Sequence, residues 1–117
     1  MNMAFKCRTI KNAVAAEFGI TPHEMDSRNR TARVARARMT AAYLCRTTIV
    51  PELSLPNIGR QFGRDHSTII HACRRVAELS ASDPKFAALV ERCRSNVTNG
   101  PTAETMLRQG WHGEARL

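Results

Sequence analysis

The sequence predicts an all-α fold, a helical bundle of about five or six helices that contains a helix-turn-helix. Hydrophobic residues make up 43% of the chain and aromatic residues only 5%. Its core therefore consists mainly of Ala, Val, Ile, Leu and Met, which favours helices. Apolar residues also recur every three or four positions, as they do on one face of a helix. The 117 residues are enough for one small domain that buries its core without disulfide bonds.

The first predicted helix lies in the segment CRTIKNAVAAEFG and ends at Gly19. Its apolar stripe repeats every four residues, at Ile10, Val14 and Phe18. In the next segment, TPHEMD, Thr21 is predicted as the N-cap, Pro22 as the first helical residue and Glu24 as the partner in a capping box. These residues predict a short helical turn directly after the first helix.

A basic loop and a long helix follow. Five arginines fall within eleven residues of the segment SRNRTARVARAR: Arg28, Arg30, Arg33, Arg36 and Arg38. A longer helix is predicted from about Thr31, and Pro51 ends it. Its apolar face consists of Val34, Ala37, Ala41, Leu44, Cys45 and Thr48. Another face of the same helix is predicted to carry Arg33, Arg36 and Thr40.

Three further helices are predicted, and the first is a short one in SLPNIGRQF that Ser54 caps and Gly63 ends. The next begins around Asp65 and runs towards Leu79, with Ile69, Ala72, Cys73 and Val76 also facing inward. The last lies in DPKFAALVERCRSNV, and its apolar face is Phe86, Leu89, Val90 and Cys93. We expect residues 1–99 to form the domain and residues 100–117 to be a flexible or loosely docked tail.

Several classes of protein are excluded by patterns that the sequence lacks. No apolar run approaches ~18 residues, and the apolar stretch at the start is too short for a secretion signal. The four cysteines, Cys7, Cys45, Cys73 and Cys93, contain no Cys-x-x-Cys pair. We expect them to be small buried residues of a cytoplasmic protein. Without a Gly-x-x-x-x-Gly-Lys-Ser/Thr loop, we expect no nucleotide cofactor, and we predict no small-molecule substrate.

The segment FGRDHSTIIHACRR places Asp65, His66 and Ser67 side by side, which suggests a catalytic triad. Consecutive helical residues project about 100° apart, however, so His66 cannot bridge the other two side chains. No Gly-x-Ser-x-Gly motif accompanies them. A zinc site is also disfavoured, because His66 and His71 are five positions apart and lie on different sides of a helix. We therefore expect neither an enzyme nor a metal site.

The distribution of charge favours nucleic acid as the partner. The net charge is +8, and residues 1–79 contain 13 Lys and Arg against 6 Asp and Glu. Such an excess is typical of a surface that attracts phosphate groups. The excess alone is also compatible with a solvated surface or with attraction to an anionic membrane.

The order of the elements makes the nucleic-acid interpretation more specific. A short helix, a glycine-containing turn and a second helix with small polar residues at its N-terminus match a helix-turn-helix, whose recognition helix enters the major groove tip first. Asp65 is then placed to accept from a cytosine amino group, and His66, Ser67 and Thr68 to meet base edges. His71, Arg74 and Arg75 follow within two turns and are placed to reach phosphates. Asp65 also suits an ordinary N-cap, and the two roles are compatible.

The segment SLPNIGRQFGRDHSTIIHACRRV closely resembles the signature of the C-terminal DNA-binding domain of the bacterial chromosomal replication initiator DnaA. The upstream segments VAAEFGI, SRNRTARVARAR and AAYLCR are similar to that domain's first helix, basic loop and long connecting helix. The resemblance extends from about Lys11 to Leu79. It implies a TrpR-like helical bundle and, as a target, an A·T-rich box of about nine base pairs repeated at replication origins.

The resemblance also implies roles for individual residues. Base contacts are implied in the major groove for Asp65, His66 and Ser67 and in the minor groove for Arg30. Phosphate contacts are implied for Arg38, Arg46, Leu55, Pro56, Thr68, His71 and Arg75. Further basic contacts are expected from Arg28, Arg33, Arg64 and Arg74.

The chain departs from the family pattern at several points. The turn has one glycine where the family usually has two, which predicts a tilted recognition helix, and the segment TTIVPEL is about two residues longer than usual. Ser67 stands where the family has Thr, so a methyl that packs on a thymine methyl is lost, and Asn29 stands where a basic residue is common.

Two hypotheses from different classes follow. The first is a stand-alone, nucleoid-associated protein without ATPase activity that binds a DnaA-type box in double-stranded DNA and regulates replication or nearby transcription. The second is an interaction protein that acts mainly through a protein partner, such as the replication machinery, with non-specific DNA affinity. Its anchor is the C-terminal tail, which contains Met106 and Trp111.

Overall fold

The computed structural model describes residues 3–49 and 54–99, and these form six helices without a strand. The helices are α1 (Met3–Phe18), α2 (Pro22–Asp26), α3 (Ala32–Thr48), α4 (Leu55–Phe62), α5 (His66–Ser82) and α6 (Pro84–Asn99). The predicted all-α class and number of helices are thus confirmed. None of the described helices is long and apolar enough to cross a membrane. The predicted tail, residues 100–117, lies outside the described residues, as does Pro51.

The helix ends follow from local capping chemistry. Thr21 and Glu24 form the predicted capping box before α2, with the Thr21 side chain accepting from the Glu24 amide at 3.0 Å. The Ser54 hydroxyl accepts from the Asn57 amide at 3.2 Å at the start of α4. These bonds satisfy amides that have no partner within their own helix.

Helix α3 is the centre of the bundle, and it packs most extensively against α5 and α1. The main core cluster combines buried residues of all six helices, including Met25 of α2 and Cys93 of α6. A smaller cluster adds to the packing of α6, where Val76 of α5 meets Phe86 and Val90 of α6. The Phe18 ring approaches Phe86 edge-on, with 6.4 Å between the ring centroids. The small side chains of α3 explain its central position, because they allow helices to approach closely on several sides.

Three details differ from the sequence-based prediction. Helix α1 begins at Met3, before the predicted segment, and α5 continues to Ser82, beyond Leu79. Thr40 was predicted to share a polar face with Arg33 and Arg36, but it is fully buried. The prediction was wrong because α3 is covered on more than half of its circumference, so its buried surface extends past the apolar stripe. Among the described residues, the Thr40 hydroxyl has no hydrogen-bond partner.

Lys11 is the one lysine buried among the described residues, with 4% of its surface exposed. Its ammonium group donates to the Asp26 carboxylate at 3.1 Å and to the Gln61 carbonyl, and it lies 4.5 Å from the centre of the Phe62 ring. Arg8 donates to the other oxygen of Asp26 at 2.8 Å. Partial burial alone raises the pKa of Asp26, but the bonds from Arg8 and Lys11 outweigh it and hold that pKa below its usual value. This network joins α1 to α2 and to the end of α4.

Replacing Lys11 with Met keeps the apolar part of the side chain. It removes the hydrogen bonds to Asp26 and Gln61 and the contact between the ammonium group and the Phe62 ring. Because the Gln61 carbonyl then loses its donor, we expect the free energy of unfolding to fall by about 1–3 kcal/mol in urea unfolding. Lys85→Met is the matched control, since Lys85 is exposed, and we expect it to change stability by less than about 0.5 kcal/mol. Equal effects of the two substitutions would contradict a structural role for the Lys11 ammonium group.

Candidate nucleic-acid interface

Helices α4 and α5 form the helix-turn-helix, and two glycines shape their junction, Gly63 in the turn and Gly59 within α4. Gly63 adopts the left-handed conformation, with φ 64°, and its amide donates to the Arg60 carbonyl. The Arg64 amide donates to the Gly59 carbonyl at 2.9 Å. A Cβ on Gly59 would lie 2.4 Å from the Arg64 carbonyl oxygen. The turn therefore needs one glycine for its backbone angles and another for the close approach of the chain after it.

Asp65 caps the recognition helix α5, as predicted. Its Oδ1 accepts from the Thr68 amide at 3.0 Å, from the Ser67 hydroxyl at 2.7 Å and from the Thr68 hydroxyl at 3.1 Å. These bonds lower the pKa of Asp65 below its usual value. The bond from Ser67 has the largest effect, and the two bonds from Thr68 come next. The carboxylate is therefore ionised at neutral pH. None of these bonds uses Oδ2, which is left for another donor.

The structure gathers the predicted major-groove residues at the exposed start of α5. Asp65, His66, Ser67 and Thr68 are all exposed there. His71, Arg74 and Arg75 are exposed on the same helix within the next two turns. Arg75 also makes a long ion pair with Glu78 at 3.5 Å, in which both side chains are more than half exposed. An exposed pair of this kind adds little stability, so Arg75 can exchange Glu78 for a phosphate at small cost.

The basic loop between α2 and α3 lies against the recognition helix. Arg28 and Arg30 of this loop line one concave surface together with Arg38, Arg64 and Thr68; we call this surface the arginine cleft. Burial, and then the nearby charge of Arg64, lower the pKa of Arg38 from its usual value. These arginines come from three elements: the basic loop, helix α3 and the turn before α5. The fold brings the predicted minor-groove loop next to the start of the predicted major-groove helix.

Arg38 makes contacts that sequence reasoning did not predict. Its guanidinium group donates to the carbonyls of four residues in α2 and the basic loop: Glu24, Met25, Ser27 and Asn29. The bond from Nη2 to Ser27 is the shortest, at 2.7 Å. Nothing in the sequence distinguishes Arg38 from the other arginines of its segment, because its acceptors are backbone groups.

The remaining predicted contacts lie at other places. Arg46 is half-buried in the last turn of α3, close enough to α5 for its charge to act on Cys73. Leu55 and Pro56 open α4 next to its cap. Arg33 does not join the cleft: it lines a different groove with Arg36, Phe18 and Phe86. On a helix Arg33 and Arg38 project about 140° apart, which explains the separation.

These elements define a DNA-binding domain of the helix-turn-helix class. They are a short helix, a turn with a glycine, a second helix with polar residues at its start, and an adjoining loop with arginines. The family model for the bacterial DnaA protein helix-turn-helix matches residues 7–76 of this chain. The chain therefore belongs to the DnaA helix-turn-helix family, whose domain binds DNA in replication initiation.

Full-length relatives point to the same family. The chain is 45% identical over 90 residues to the chromosomal replication initiator protein DnaA of Symbiobacterium thermophilum, covering 76% of this chain and 19% of that protein. The DnaA proteins of Chromobacterium violaceum (40% over 91 residues; 77% and 19%) and Deinococcus radiodurans (39% over 84 residues; 72% and 18%) are similar to it as well. The chain thus matches about a fifth of the length of these relatives.

Gly59→Ala should displace the recognition helix, because the new methyl group meets the backbone oxygen of Arg64. We expect a loss of about 1–3 kcal/mol in stability, measured by thermal unfolding, and weaker DNA binding at temperatures where the variant is still folded.

Gly63→Ala is the control for this prediction. A Cβ at Gly63 has no atom within 4 Å, so that substitution costs about 1–2 kcal/mol through its left-handed backbone alone and leaves DNA binding of the folded protein nearly unchanged. If Gly59→Ala also leaves DNA binding unchanged, the close approach does not position α5.

Proposed function

We propose that this chain binds double-stranded DNA sequence-specifically, at an A·T-rich box like that of the replication initiator. By occupying such boxes it regulates replication initiation or nearby transcription, and it does so without hydrolysing ATP. The observation that carries the proposal is the arginine cleft, in which the basic loop meets the start of the recognition helix. The printed names of the relatives, chromosomal replication initiator proteins, support the link to replication.

The cleft fits the strand that separates the two grooves of a duplex. When α5 enters the major groove, one phosphate backbone passes between that groove and the adjoining minor groove. Arg64 and Thr68 lie on the major-groove side of the cleft, and Arg28 and Arg30 on the side of the loop. Cations that face a phosphate release bound counterions, which is the main source of affinity for any DNA sequence.

Specificity then comes from both ends of this arrangement. His66 and Ser67 are exposed at the tip of α5, where base edges of the major groove lie within reach. On the other side, Arg30 is exposed in the loop and suits a narrow A·T-rich minor groove, whose negative potential attracts arginine. The remaining contacts position the protein on phosphates: Arg38, Arg46, Leu55, Pro56, Thr68, His71 and Arg75, with further basic contacts from Arg28, Arg64 and Arg74.

The first experiment is an unbiased selection of bound duplexes from a random pool at near-physiological salt. Enrichment of an A·T-rich box of about nine base pairs would support the proposal, since groove contacts on both sides span about one turn of DNA. Enrichment of a different motif would keep specific binding but reject the initiator-type box. Binding without enrichment that disappears as the salt concentration rises would mean attraction to phosphates only.

Substitutions at base-contacting residues should weaken mainly specific binding, whereas those at phosphate-contacting residues should weaken binding to any sequence. We expect Arg30→Ala and His66→Ala each to cost ~1–3 kcal/mol of binding free energy on the enriched site and much less on random DNA, measured by fluorescence anisotropy. Arg75→Ala should weaken binding to every sequence alike and reduce the slope of affinity against salt by about one. A loss restricted to the enriched site in Arg75→Ala would contradict its phosphate contact.

A further inference from the structure

The hydrogen bonds of Arg38 suggest a second role, in addition to the proposed phosphate contact. We infer that Arg38 is a positioning residue, whose guanidinium group fixes the basic loop in the conformation that presents Arg30 to the minor groove. This inference rests on the proposed function, because it assigns Arg38 a part in the same recognition event. It concerns the free protein, however, and is testable there without DNA.

The hydrogen bonds of Arg38 account for most of the donors on its guanidinium group. Nε donates to the Met25 carbonyl at 3.1 Å, and Nη2 donates to the Ser27 carbonyl at 2.7 Å. Longer bonds at 3.3 Å join Nη2 to the Glu24 carbonyl and both Nη atoms to the Asn29 carbonyl. One side chain from α3 is thus bonded to backbone positions spread over six residues of chain.

Among the described residues, Arg38 is the donor to the carbonyls of Met25, Ser27 and Asn29, whereas the Glu24 carbonyl also accepts from the Ser27 amide at 3.1 Å and the Ser27 hydroxyl at 2.8 Å. Met25 lies in the last turn of α2, where carbonyls have no partner within the helix, and a cation near that end is also favourable to the helix dipole. Ser27 and Asn29 lie in the loop itself, which has no regular backbone bonding. Arg38 therefore supplies hydrogen-bond donors to carbonyls at the end of α2 and to carbonyls of the loop at the same time.

The loop's other hydrogen bonds are local: the Ser27 amide and hydroxyl donate to the Glu24 carbonyl of the adjoining helix α2, and two more bonds lie within the loop or at its end. The Ser27 hydroxyl accepts from the Asn29 amide at 3.1 Å, and the Asn29 side chain accepts from the Thr31 amide at 2.9 Å. These bonds shape the chain on either side of Arg30, but all their partners lie within the loop or at its end. Among the hydrogen bonds of the described residues, those of Arg38 connect the loop to the body of α3.

A fixed loop matters for recognition, because ordering a loop during binding costs conformational entropy. The side chain of Arg30 is exposed and long, so its reach into the groove depends on where its backbone is held. If Arg38 holds that backbone in advance, the specific complex forms without this cost. Non-specific binding depends mainly on net charge and should not need the ordered loop.

The geometry also predicts that lysine cannot replace Arg38. A guanidinium group presents five N–H donors in a planar fork, whereas an ammonium group is a single compact charge with three donors. Lysine at position 38 keeps the charge of the arginine cleft but cannot bond to four carbonyls that lie in different directions. The substitution Arg38→Lys therefore separates positioning from attraction to phosphate.

The test compares Arg38→Lys with Arg36→Lys in the full chain. Arg36 lies on the same helix but is exposed and lines the other groove. In the free proteins, we expect Arg38→Lys to accelerate amide hydrogen exchange at Asn29 and Thr31 by about tenfold or more, and Arg36→Lys to leave it unchanged. On the enriched duplex, Arg38→Lys should weaken binding by about tenfold while changing affinity for random DNA by less than about twofold.

A second measurement tests whether Arg38 acts through Arg30. In the Arg30→Ala background, adding Arg38→Lys should cause little further loss on the enriched duplex, because the two effects are not additive when one residue positions the other. Full additivity would overturn the inference, and so would unchanged exchange in Arg38→Lys or normal specific binding by a variant with accelerated exchange. A parent protein that enriches no duplex would reject the proposed function instead, and the exchange data would still decide whether Arg38 orders the loop.

Discussion

The buried ammonium group of Lys11 is the interaction on which the rest of the DNA-binding surface depends. It joins α1 to the Asp26 carboxylate at the end of α2 and to the Gln61 carbonyl in the last turn of α4. The basic loop begins directly after α2, and the turn of the helix-turn-helix directly after α4. A charge is costly to remove from water unless its partners replace the lost solvation. The three partners of Lys11, which are Asp26, Gln61 and the Phe62 ring, meet this need, and they hold the ends of α2 and α4 against α1.

The charge of the protein therefore serves two purposes that the net value of +8 does not distinguish. The side chains of Lys11 and Arg38 mainly make hydrogen bonds within the protein. Both bond to backbone carbonyls, and Lys11 also bonds to Asp26. Exposed cations such as Arg30, Arg74 and Arg75 remain for a polyanionic partner. Lys11 and Arg38 thus help to determine where the exposed arginines lie. Their positions matter because a phosphate strand presents its charges at a fixed spacing.

Local signals predicted most of the fold, including the helix ends that shape the helix-turn-helix. Capping residues and turn glycines act over a few positions, so Thr21, Asp65 and Gly63 were identified correctly from their neighbours alone. The buried role of Lys11 was not predictable in this way, because its partner Gln61 lies 50 residues further along the chain. Arg38 likewise bonds to backbone groups, which leave no trace in side-chain patterns. The arginine cleft also depends on tertiary packing, since α3 must place Arg38 beside Arg64.

The cap of α5 constrains what the recognition tip can bind. The Ser67 hydroxyl donates its hydrogen to Oδ1 of Asp65, so towards a base it offers only acceptor lone pairs. The free Oδ2 of Asp65 is an acceptor as well. In the proposed complex, two neighbouring acceptors would favour base edges that donate, which in the major groove are the amino groups of adenine and cytosine. If the proposed base contacts form, the bonds that begin the recognition helix therefore also determine which bases it prefers, and Ser67 in place of Thr leaves this preference for donors unchanged.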